Sequence, residues 1–287
     1  RTRAGGVSAV LSALRRGGWS AEAVATCGPG DARRIAKRGV DEKVDVVAVF
    51  GGDGTTMQAA AALVGTEVAL GLIPGGTGNL LAGNLRIPTA PARAAAALLR
   101  SSPRKLDLGR LDGSDGMHYF AVACGAGIDA RVMVETPPDQ KRRWGIMAYV
   151  STTIRLMPDM RSVDYLVTVD GKEYDAHAAM VLVANCGEVI PPLIRLGPAI
   201  RPDDGMLDVV AVQANSLGQG LHAVWDLLRS RGTTVSERRV GFARGAEIRV
   251  DAFPRQPAQL DGEPGGSTPF TATVVPGAIN VMTPLPL

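Results

Sequence analysis

The chain has 287 residues, 46% of them hydrophobic and 21% charged, which is typical of a folded globular protein and excludes a disordered one. The net charge of +3 at neutral pH gives no support to nucleic acid as a partner, and no apolar run approaches the roughly 20 residues of a membrane span. We therefore expect a soluble cytoplasmic protein, with peripheral contact at the inner membrane face as an open alternative.

The first third of the chain alternates helix and strand patterns. A first helix is predicted over Val7–Leu14, a short strand over Ala21–Cys27, and a helix ending near Arg38. Strands over Val44–Phe50 and Val68–Ile73 follow, each with a helical stretch behind it. This alternation predicts a doubly wound parallel α/β nucleotide domain that binds its ligand at the carboxyl ends of the strands. Because such a domain normally begins with a strand, we expect that the first strand is missing here.

Strand patterns dominate beyond Ser101-Ser102-Pro103. Helices interrupt them around Trp144–Met157 and Leu217–Arg231. These patterns predict an antiparallel β-sandwich domain with inserted helices. We place the α/β domain at residues 1–103 and the sandwich at residues 104–287, with a return of the last residues to the first domain left open. The predicted strands are Lys105–Leu111, Tyr119–Cys124, Val163–Val169, Ala179–Asn185, Leu207–Gln213, Glu247–Asp251 and Phe270–Val275.

Two glycine-rich loops follow the two apolar strands of the α/β domain. The first is Gly51-Gly52-Asp53-Gly54-Thr55-Thr56 and the second is Gly75-Gly76-Thr77-Gly78-Asn79. Glycines let main-chain N–H groups approach an anion, and a helix that begins just after the loop adds its positive end. Loops at neighbouring strand ends predict a triphosphate site, with a tight structural turn as the alternative for each. Because a bare Asp53 carboxylate would repel phosphate, it also predicts Mg²⁺ or metal-bound water.

Two acidic turns lie in the second part of the chain. The segment Ala258–Pro264 contains Asp261 and Glu263, and a positioned carboxylate of this kind can take the proton of an attacking hydroxyl. The segment Arg201–Asp208 carries adjacent acids before a glycine, a pattern that can hold a hard cation. A simple hairpin turn is the alternative for each segment. A metal in the second of them would be structural.

Taken together and in this order, the motifs resemble those of the diacylglycerol kinase catalytic-domain family, which includes bacterial soluble lipid kinases and the sphingosine and ceramide kinases. The resemblance runs over nearly the whole chain, and the combination is far more specific than any one glycine loop. The motifs that carry it are Gly51–Thr55, Gly76–Asn79, Gly125–Ala130, Asn185–Gly187, Asp204–Asp208 and Leu260–Pro264.

The resemblance implies an ATP- and Mg²⁺-dependent lipid kinase. Its acceptor would be the hydroxyl of a diacylglycerol-like lipid, presented at a membrane surface and converted to a phosphatidic-acid-like product. A structural Mg²⁺ is implied at the Asp204 side chain, with the carbonyls of Arg201 and Met206 as further ligands. The resemblance leaves the oligomeric state open, with a homodimer among the alternatives.

Roles for single residues are also implied by the resemblance. The general base falls on Asp261 or Glu263, and we favour Glu263. Asp53 is implied to serve catalysis near the metal. The residues implied to bind the nucleotide are Thr26, Gly51, Gly52, Asp53, Gly54, Thr55, Thr56, Gly76, Thr77 and Asn79.

The chain departs from the family at two places. Members usually begin with a strand that ends in an Asn-Pro-x-x-Gly loop, and only Ala4-Gly5 corresponds to it here. Asn79-Leu80-Leu81 stands where the family commonly has Asn-Asp-Phe, so that Asp53 is expected to carry more of the metal's coordination. The alternatives are a kinase for a sphingoid base or other long-chain lipid, an NAD kinase-like enzyme, and a catalytically silent nucleotide- or lipid-binding module.

Overall fold

The structure is a computed structural model that describes residues 4–127, 162–190, 194–196, 200–212 and 240–284. It divides into two compact units. The first unit comprises Arg1–Leu106 and Gly277–Leu287, and the second comprises Asp107–Pro276. The inserted helices that the sequence predicts around Trp144–Met157 and Leu217–Arg231 lie outside the described residues.

The first unit alternates helices with parallel strands. The first strand runs parallel to the second, which also pairs in parallel with Asn280 and Val281 near the end of the chain. This confirms the α/β class predicted for this part of the sequence. None of the described helices is long and apolar enough to cross a membrane. The elements are α1 (Ala4–Arg16), α2 (Asp31–Asp41), β1 (Val46–Gly51), α3 (Asp53–Leu63), β2 (Ala69–Pro74), α4 (Leu80–Asn84) and α5 (Pro91–Leu98).

Strand β2 is the centre of the first unit, and all six of its residues are buried. Apolar residues on both faces are expected where helices cover a parallel sheet on both sides. A Cβ atom at Gly71 in this strand would lie 3.2 Å from Leu98, so that α5 packs directly on the strand backbone. Ala59, Ala60 and Leu63 form the buried face of α3. This packing fixes the carboxyl ends of β1 and β2, from which both glycine loops emerge.

The strand predicted over Ala21–Cys27 is wrong. These residues adopt no regular structure, and all of them except Ala21 are exposed. A strand needs a neighbouring strand to take its main-chain hydrogen bonds, and among the described residues none pairs with this segment. The Arg15 guanidinium instead donates to the Ala21 carbonyl, at 3.1 and 2.7 Å. An apolar run without a strand partner therefore stays irregular.

The second unit is antiparallel, as the sequence predicts for this part of the chain. The first and last of its strands extend into the first unit along the chain. The strands are β3 (Ser102–Gly113), β4 (Gly116–Phe120), β5 (Ala123–Gly127), β6 (Val163–Val169), β7 (Lys172–Ala178), β8 (Met180–Ala184), β9 (Glu188–Ile190), β10 (Ile194–Arg195), β11 (Leu207–Val212), β12 (Val240–Gly245), β13 (Glu247–Phe253), β14 (Pro257–Leu260), β15 (Glu263–Ser267) and β16 (Phe270–Thr283).

Two sheets enclose one core in the second unit. One sheet has the order β12-β11-β8-β5-β14-β15, and the other contains β16, β13, β6 and β7 in neighbouring positions. Their inner side chains belong to a single buried cluster that includes Phe120, Tyr165, Val183, Ile248 and Phe270. Apolar burial between two packed sheets is the main source of stability in such a sandwich.

The single strand predicted over Tyr119–Cys124 is divided in the structure. Strand β4 ends at Phe120 and β5 begins at Ala123, and the two strands belong to different sheets. Ala121 and Val122 carry the chain from one sheet to the other. The apolar run continues through this crossing because both residues are buried, so that the sequence pattern alone does not show the break.

The crossing is preceded by a tight contact between β3 and β4, which supplies a test of the fold. Gly109 lies opposite Phe120, and a Cβ atom on Gly109 would overlap the Phe120 ring. Gly109→Ala is therefore expected to lower the free energy of unfolding by roughly 1–3 kcal/mol through overpacking, measured by urea denaturation. Gly28→Ala is the matched control, since its Cβ atom would meet no other atom within 4 Å. Equal stability of the two variants would contradict this packing.

Candidate functional site

The first glycine loop presents the beginning of a helix. Gly52 is the N-cap of α3, which has 11 residues. Thr56 turns inward, and both its N–H and its hydroxyl donate to the Gly52 carbonyl at 3.0 Å. Within the described part of the chain, no acceptor takes the N–H groups of Gly54 and Thr55. Because the first N–H groups of a helix carry its positive end, the loop offers two open donors to an anion.

The second glycine loop is closed by its own asparagine. Asn79 adopts a left-handed conformation with φ of 50°, which asparagine tolerates better than most residues. Its side chain accepts the N–H of Gly76 at 2.9 Å and donates to the Gly76 carbonyl at 2.8 Å. The N–H groups of Thr77 and Gly78 meet no acceptor among the described residues. Asn79 therefore shapes the loop with its side chain, and the open donors belong to its neighbours.

The two loops lie directly against each other. The N–H of Gly75 donates to the Gly51 carbonyl at 2.8 Å. A Cβ atom on Gly76 would overlap the Cα atom of Gly52. The glycines thus permit backbone-to-backbone contact between the loops, as the sequence predicts for loops at neighbouring strand ends.

Asp53 points towards the second loop. Its Oδ2 accepts the N–H of Asn79 at 2.7 Å, and its Oδ1 accepts the N–H of Leu80 at 2.6 Å. The expectation that this carboxylate faces a metal stays a prediction. The hydrogen bonds show that Asp53 also binds the main chain of the second loop. Sequence reasoning missed this contact because main-chain groups have no sequence signature.

The predicted nucleotide residue Thr26 is exposed and lies in the irregular segment before α2. No hydrogen bond among the described residues joins it to either glycine loop. The turn that follows it is tied to α3, since the N–H of Gly30 donates to Gln58 Oε1 at 3.0 Å. The role of Thr26 stays a prediction.

The acids of the third motif lie in opposite environments. Asp261 and Gly262 join β14 to β15 with φ angles of 46° and 84°, which is the two-residue turn of a tight hairpin. Asp261 is buried, with 8% of its surface exposed. Glu263, at the start of β15, is exposed. The two carboxylates are therefore two residues apart in the sequence, but one is buried and the other is exposed.

Asp261 clamps the crossing between the two sheets. Its Oδ2 accepts the N–H of Ala121 at 2.7 Å, and its Oδ1 accepts those of Val122 and Ala123 at 2.8 and 3.0 Å. Three N–H donors therefore engage the two oxygens of one carboxylate, which suits Asp261 to anchoring the chain. These bonds also explain why β4 and β5 are separate strands, since the three N–H groups point at a side chain.

Asn185 and Cys186 hold the same crossing from its carbonyl side. Asn185 Nδ2 donates to the Ala121 carbonyl at 2.8 Å, and the Cys186 thiol approaches the same oxygen at 3.3 Å. Burial raises the pKa of the Cys186 thiol, and the charges of Asp261 and Glu188 raise it further, so that the thiol stays neutral. Sequence reasoning gave this pair no role, although an asparagine directly after an apolar strand is a usable signal.

The fourth motif forms a charged turn. Asp204 accepts the N–H of Met206 at 3.2 Å, and its other oxygen lies 3.3 Å from the Arg244 guanidinium. Arg244 also makes a two-point contact with Asp208, at 3.0 and 2.9 Å. Burial raises the pKa of Asp204 above its usual value. Arg244 opposes this increase, and the nearby charges of Asp208 and Asp107 add to it.

The predicted metal site at this turn contains one carboxylate. Among the described residues, no group of three or more histidine, cysteine or acidic side chains could hold a metal ion. The Arg201 side chain is turned to Asp203, at 3.0 Å. An ion bound by Asp204 with the carbonyls of Arg201 and Met206 would have to share the carboxylate with Arg244. The Mg²⁺ site therefore stays a prediction.

Comparisons with known proteins agree with these motifs. The sequence model of the diacylglycerol kinase catalytic domain matches residues 4–111, and that of the YegS C-terminal NAD kinase beta sandwich-like domain matches residues 122–283. The chain is 27% identical over 277 residues to a protein named diacylglycerol kinase from Staphylococcus carnosus, covering 96% of this chain and 88% of that one. A protein of the same name from Staphylococcus aureus is 27% identical over 276 residues, covering 96% and 85%.

A solved structure shows the same fold. It is described as a putative diacylglycerol kinase from Bacillus anthracis, and it matches with a TM-score of 0.81 at 25% identity. The match covers 97% of this chain and 91% of that one.

Open N–H donors on two adjoining glycine loops are suited to binding an anion, and the comparisons identify the family of proteins. The chain belongs to the diacylglycerol kinase catalytic-domain family, since the matched domains together span residues 4–111 and 122–283. It is accordingly a lipid kinase of the diacylglycerol kinase type, and its phosphoryl donor is ATP. The family resemblance predicted from the motifs is confirmed.

Asp261 and Glu263 should respond differently to loss of charge. Asp261→Asn is expected to lower the free energy of unfolding by roughly 2–4 kcal/mol, because buried N–H groups lose a charged acceptor. Glu263→Gln is the matched control, and this exposed change is expected to alter stability by less than about 0.5 kcal/mol. Urea denaturation measures both values. Equal losses in the two variants would show that Asp261 is not the anchor of the crossing.

Asp204 should make stability depend on pH. A carboxyl whose pKa is raised on folding binds its proton more tightly in the folded state, so it lowers stability above its usual pKa of 3.8 and has no such effect below it. The Asp204→Asn variant is therefore expected to have a higher unfolding midpoint than the wild type at pH 7. Below pH 3.8 the two proteins should no longer differ in this way. The exposed Asp175→Asn is the control.

The predicted metal site adds one expectation to the same measurement. Added Mg²⁺ should raise the midpoint of the wild type at pH 7 and leave Asp204→Asn unchanged, because only the wild type keeps the carboxylate. An equal Mg²⁺ response in both proteins would exclude Asp204 as the ligand.

Proposed function

We propose that the chain transfers the γ-phosphoryl group of Mg·ATP to the hydroxyl of a diacylglycerol-like lipid, giving ADP and a phosphatidic-acid-like product. The observation that carries this proposal is the pair of adjoining glycine loops with open N–H donors. The names of the staphylococcal relatives support diacylglycerol as the acceptor class. Such a lipid resides in a bilayer, so the reaction requires peripheral contact with a membrane surface.

The glycine loops meet the first requirement of the reaction, which is to hold the phosphates of ATP. Gly54, Thr55, Thr77 and Gly78 offer main-chain donors without a described acceptor, and the positive end of α3 lies at the first pair. Main-chain donors at loops and helix starts are a recurrent phosphate site in proteins. Phosphoryl transfer depends mainly on positioning and on neutralising charge on the transferred group. Mg²⁺ held by the nucleotide would supply further positive charge.

Glu263 meets the second requirement, which is a base for the lipid hydroxyl. Its side chain is exposed, and it makes no hydrogen bond or ion pair with another described residue. Asp261 is the less suitable base because three main-chain N–H groups already engage its carboxylate. In the proposed step the lipid oxygen forms a bond to the γ-phosphorus and the bond from that phosphorus to ADP breaks. The hydroxyl proton passes to Glu263 and from there to solvent.

The acceptor is identified by incubating the full chain with Mg²⁺ and γ-labelled ATP. Mixed micelles present diacylglycerol, sphingosine or ceramide in separate reactions, and one reaction contains NAD without lipid. We expect label in the diacylglycerol reaction. Transfer to sphingosine or ceramide alone would overturn the acceptor class, and transfer to NAD alone would overturn the lipid assignment. ATP binding without transfer to any acceptor would indicate a silent binding module.

Glu263→Gln is expected to lower kcat by roughly 10²–10⁴-fold, because the variant lacks a group that can take the proton. Binding of ATP should be unchanged. Glu173→Gln is the matched control, since Glu173 is an exposed glutamate on β7 of the same unit. A Glu263→Gln variant with wild-type kcat would show that another group serves as the base.

A further inference from the structure

The Asp53 side chain caps the start of α4, although Asp53 lies far from α4 in the sequence. It accepts the N–H of Asn79 at 2.7 Å and that of Leu80 at 2.6 Å, across a separation of 26 and 27 residues. Both lengths are those of charge-assisted hydrogen bonds, which are roughly twice as strong as neutral ones. Leu80 is the first residue of α4, so the carboxylate satisfies a helix-start N–H group that has no partner inside its own helix.

The glycines of the second loop are fitted to this contact. A Cβ atom on Gly78 would lie 2.7 Å from Asp53 Oδ2, which is closer than Cβ contacts in real proteins. A Cβ atom on Gly76 would overlap Gly52 in the first loop. Neither Gly76 nor Gly78 has a left-handed φ angle, so close approach and not backbone conformation requires glycine here.

The loop's own asparagine does not replace the carboxylate. The Asn79 side chain is engaged by the N–H and the carbonyl of Gly76. It closes the loop on itself and leaves the contact with the first loop to Asp53 and the glycines. The charged group that joins the two loops through these hydrogen bonds is the Asp53 carboxylate.

We propose that Asp53 is a positioning residue, whose carboxylate fixes the second glycine loop against the first so that the open N–H groups of both loops act on the same phosphates. The proposal rests on the proposed function, because it takes these loops as the ATP phosphate site. It differs from the expectation that Asp53 serves as a metal ligand. A positioning role acts through the loop, so its loss weakens nucleotide binding with or without Mg²⁺.

The loop contact is tested first, without nucleotide and in the presence of EDTA. In Asp53→Asn one carboxylate oxygen becomes an NH₂ group, which cannot accept a main-chain N–H. We expect the amide hydrogens of Asn79 and Leu80 to exchange roughly tenfold faster or more than in the wild type. Asp45→Asn is the matched control, since this exposed aspartate lies just before the opposite end of β1. Unchanged exchange in Asp53→Asn would overturn the proposal.

Nucleotide binding then separates positioning from metal ligation. The dissociation constant of AMP-PNP is measured by calorimetry in EDTA and across a Mg²⁺ titration. We expect Asp53→Asn to lose affinity by a similar factor, roughly tenfold, in both conditions, with the Mg²⁺ midpoint unchanged. A loss confined to Mg²⁺-containing buffer, or a shifted Mg²⁺ midpoint, would identify a metal ligand and overturn the proposal.

A second variant keeps the Asp53 carboxylate but disturbs its contact with the second glycine loop. Gly78→Ala places a methyl group against Asp53 Oδ2, and we expect it to reproduce both the faster amide exchange and the metal-independent loss of affinity. Wild-type exchange in Gly78→Ala would contradict the proposed contact. If the wild type itself binds no AMP-PNP, the proposed function fails, whereas the exchange measurement still decides whether Asp53 holds the loop.

Discussion

Main-chain N–H groups at a bend in the chain need an acceptor, and in both units of this protein an aspartate supplies it. Asp53 accepts two such groups from the second glycine loop, and Asp261 accepts three from the crossing between the two sheets. A buried or partly buried N–H without an acceptor is strongly destabilising, whereas a carboxylate satisfies several at once. At both candidate sites, these two side chains therefore connect segments that are far apart in the sequence.

The groups that remain unsatisfied after this anchoring are the ones suited to chemistry. In the first unit they are N–H donors of the glycine loops, which no acceptor among the described residues takes. In the turn between β14 and β15 the accessible acid is Glu263, two residues after the anchored Asp261. Two acids in one short motif thus lie in opposite environments, because one is buried under main-chain donors and the other is exposed to solvent.

Patterns that arise from neighbouring residues were predicted well from the sequence. The α/β and antiparallel β parts and the family follow from periodicity, turn residues and motif order, and the structure and the comparisons confirm them. The strand over Ala21–Cys27 was wrong because pairing depends on a partner elsewhere in the chain. The division of Tyr119–Cys124 was missed because its cause, Asp261, lies about 140 residues away. The contacts of Asp53 were missed for the same reason, since main-chain partners leave no pattern in a sequence.

The most direct test of the central claim is an NMR titration of selectively labelled glycine and threonine amides with Mg·AMP-PNP. If the two glycine loops hold the phosphates, the amides of Gly54, Thr55, Thr77 and Gly78 will show the largest shifts, saturating together at the same nucleotide concentration. Gly65, which is exposed just beyond the far end of α3, serves as an internal reference. Saturable binding of nucleotide that leaves the four loop amides unmoved would contradict the account.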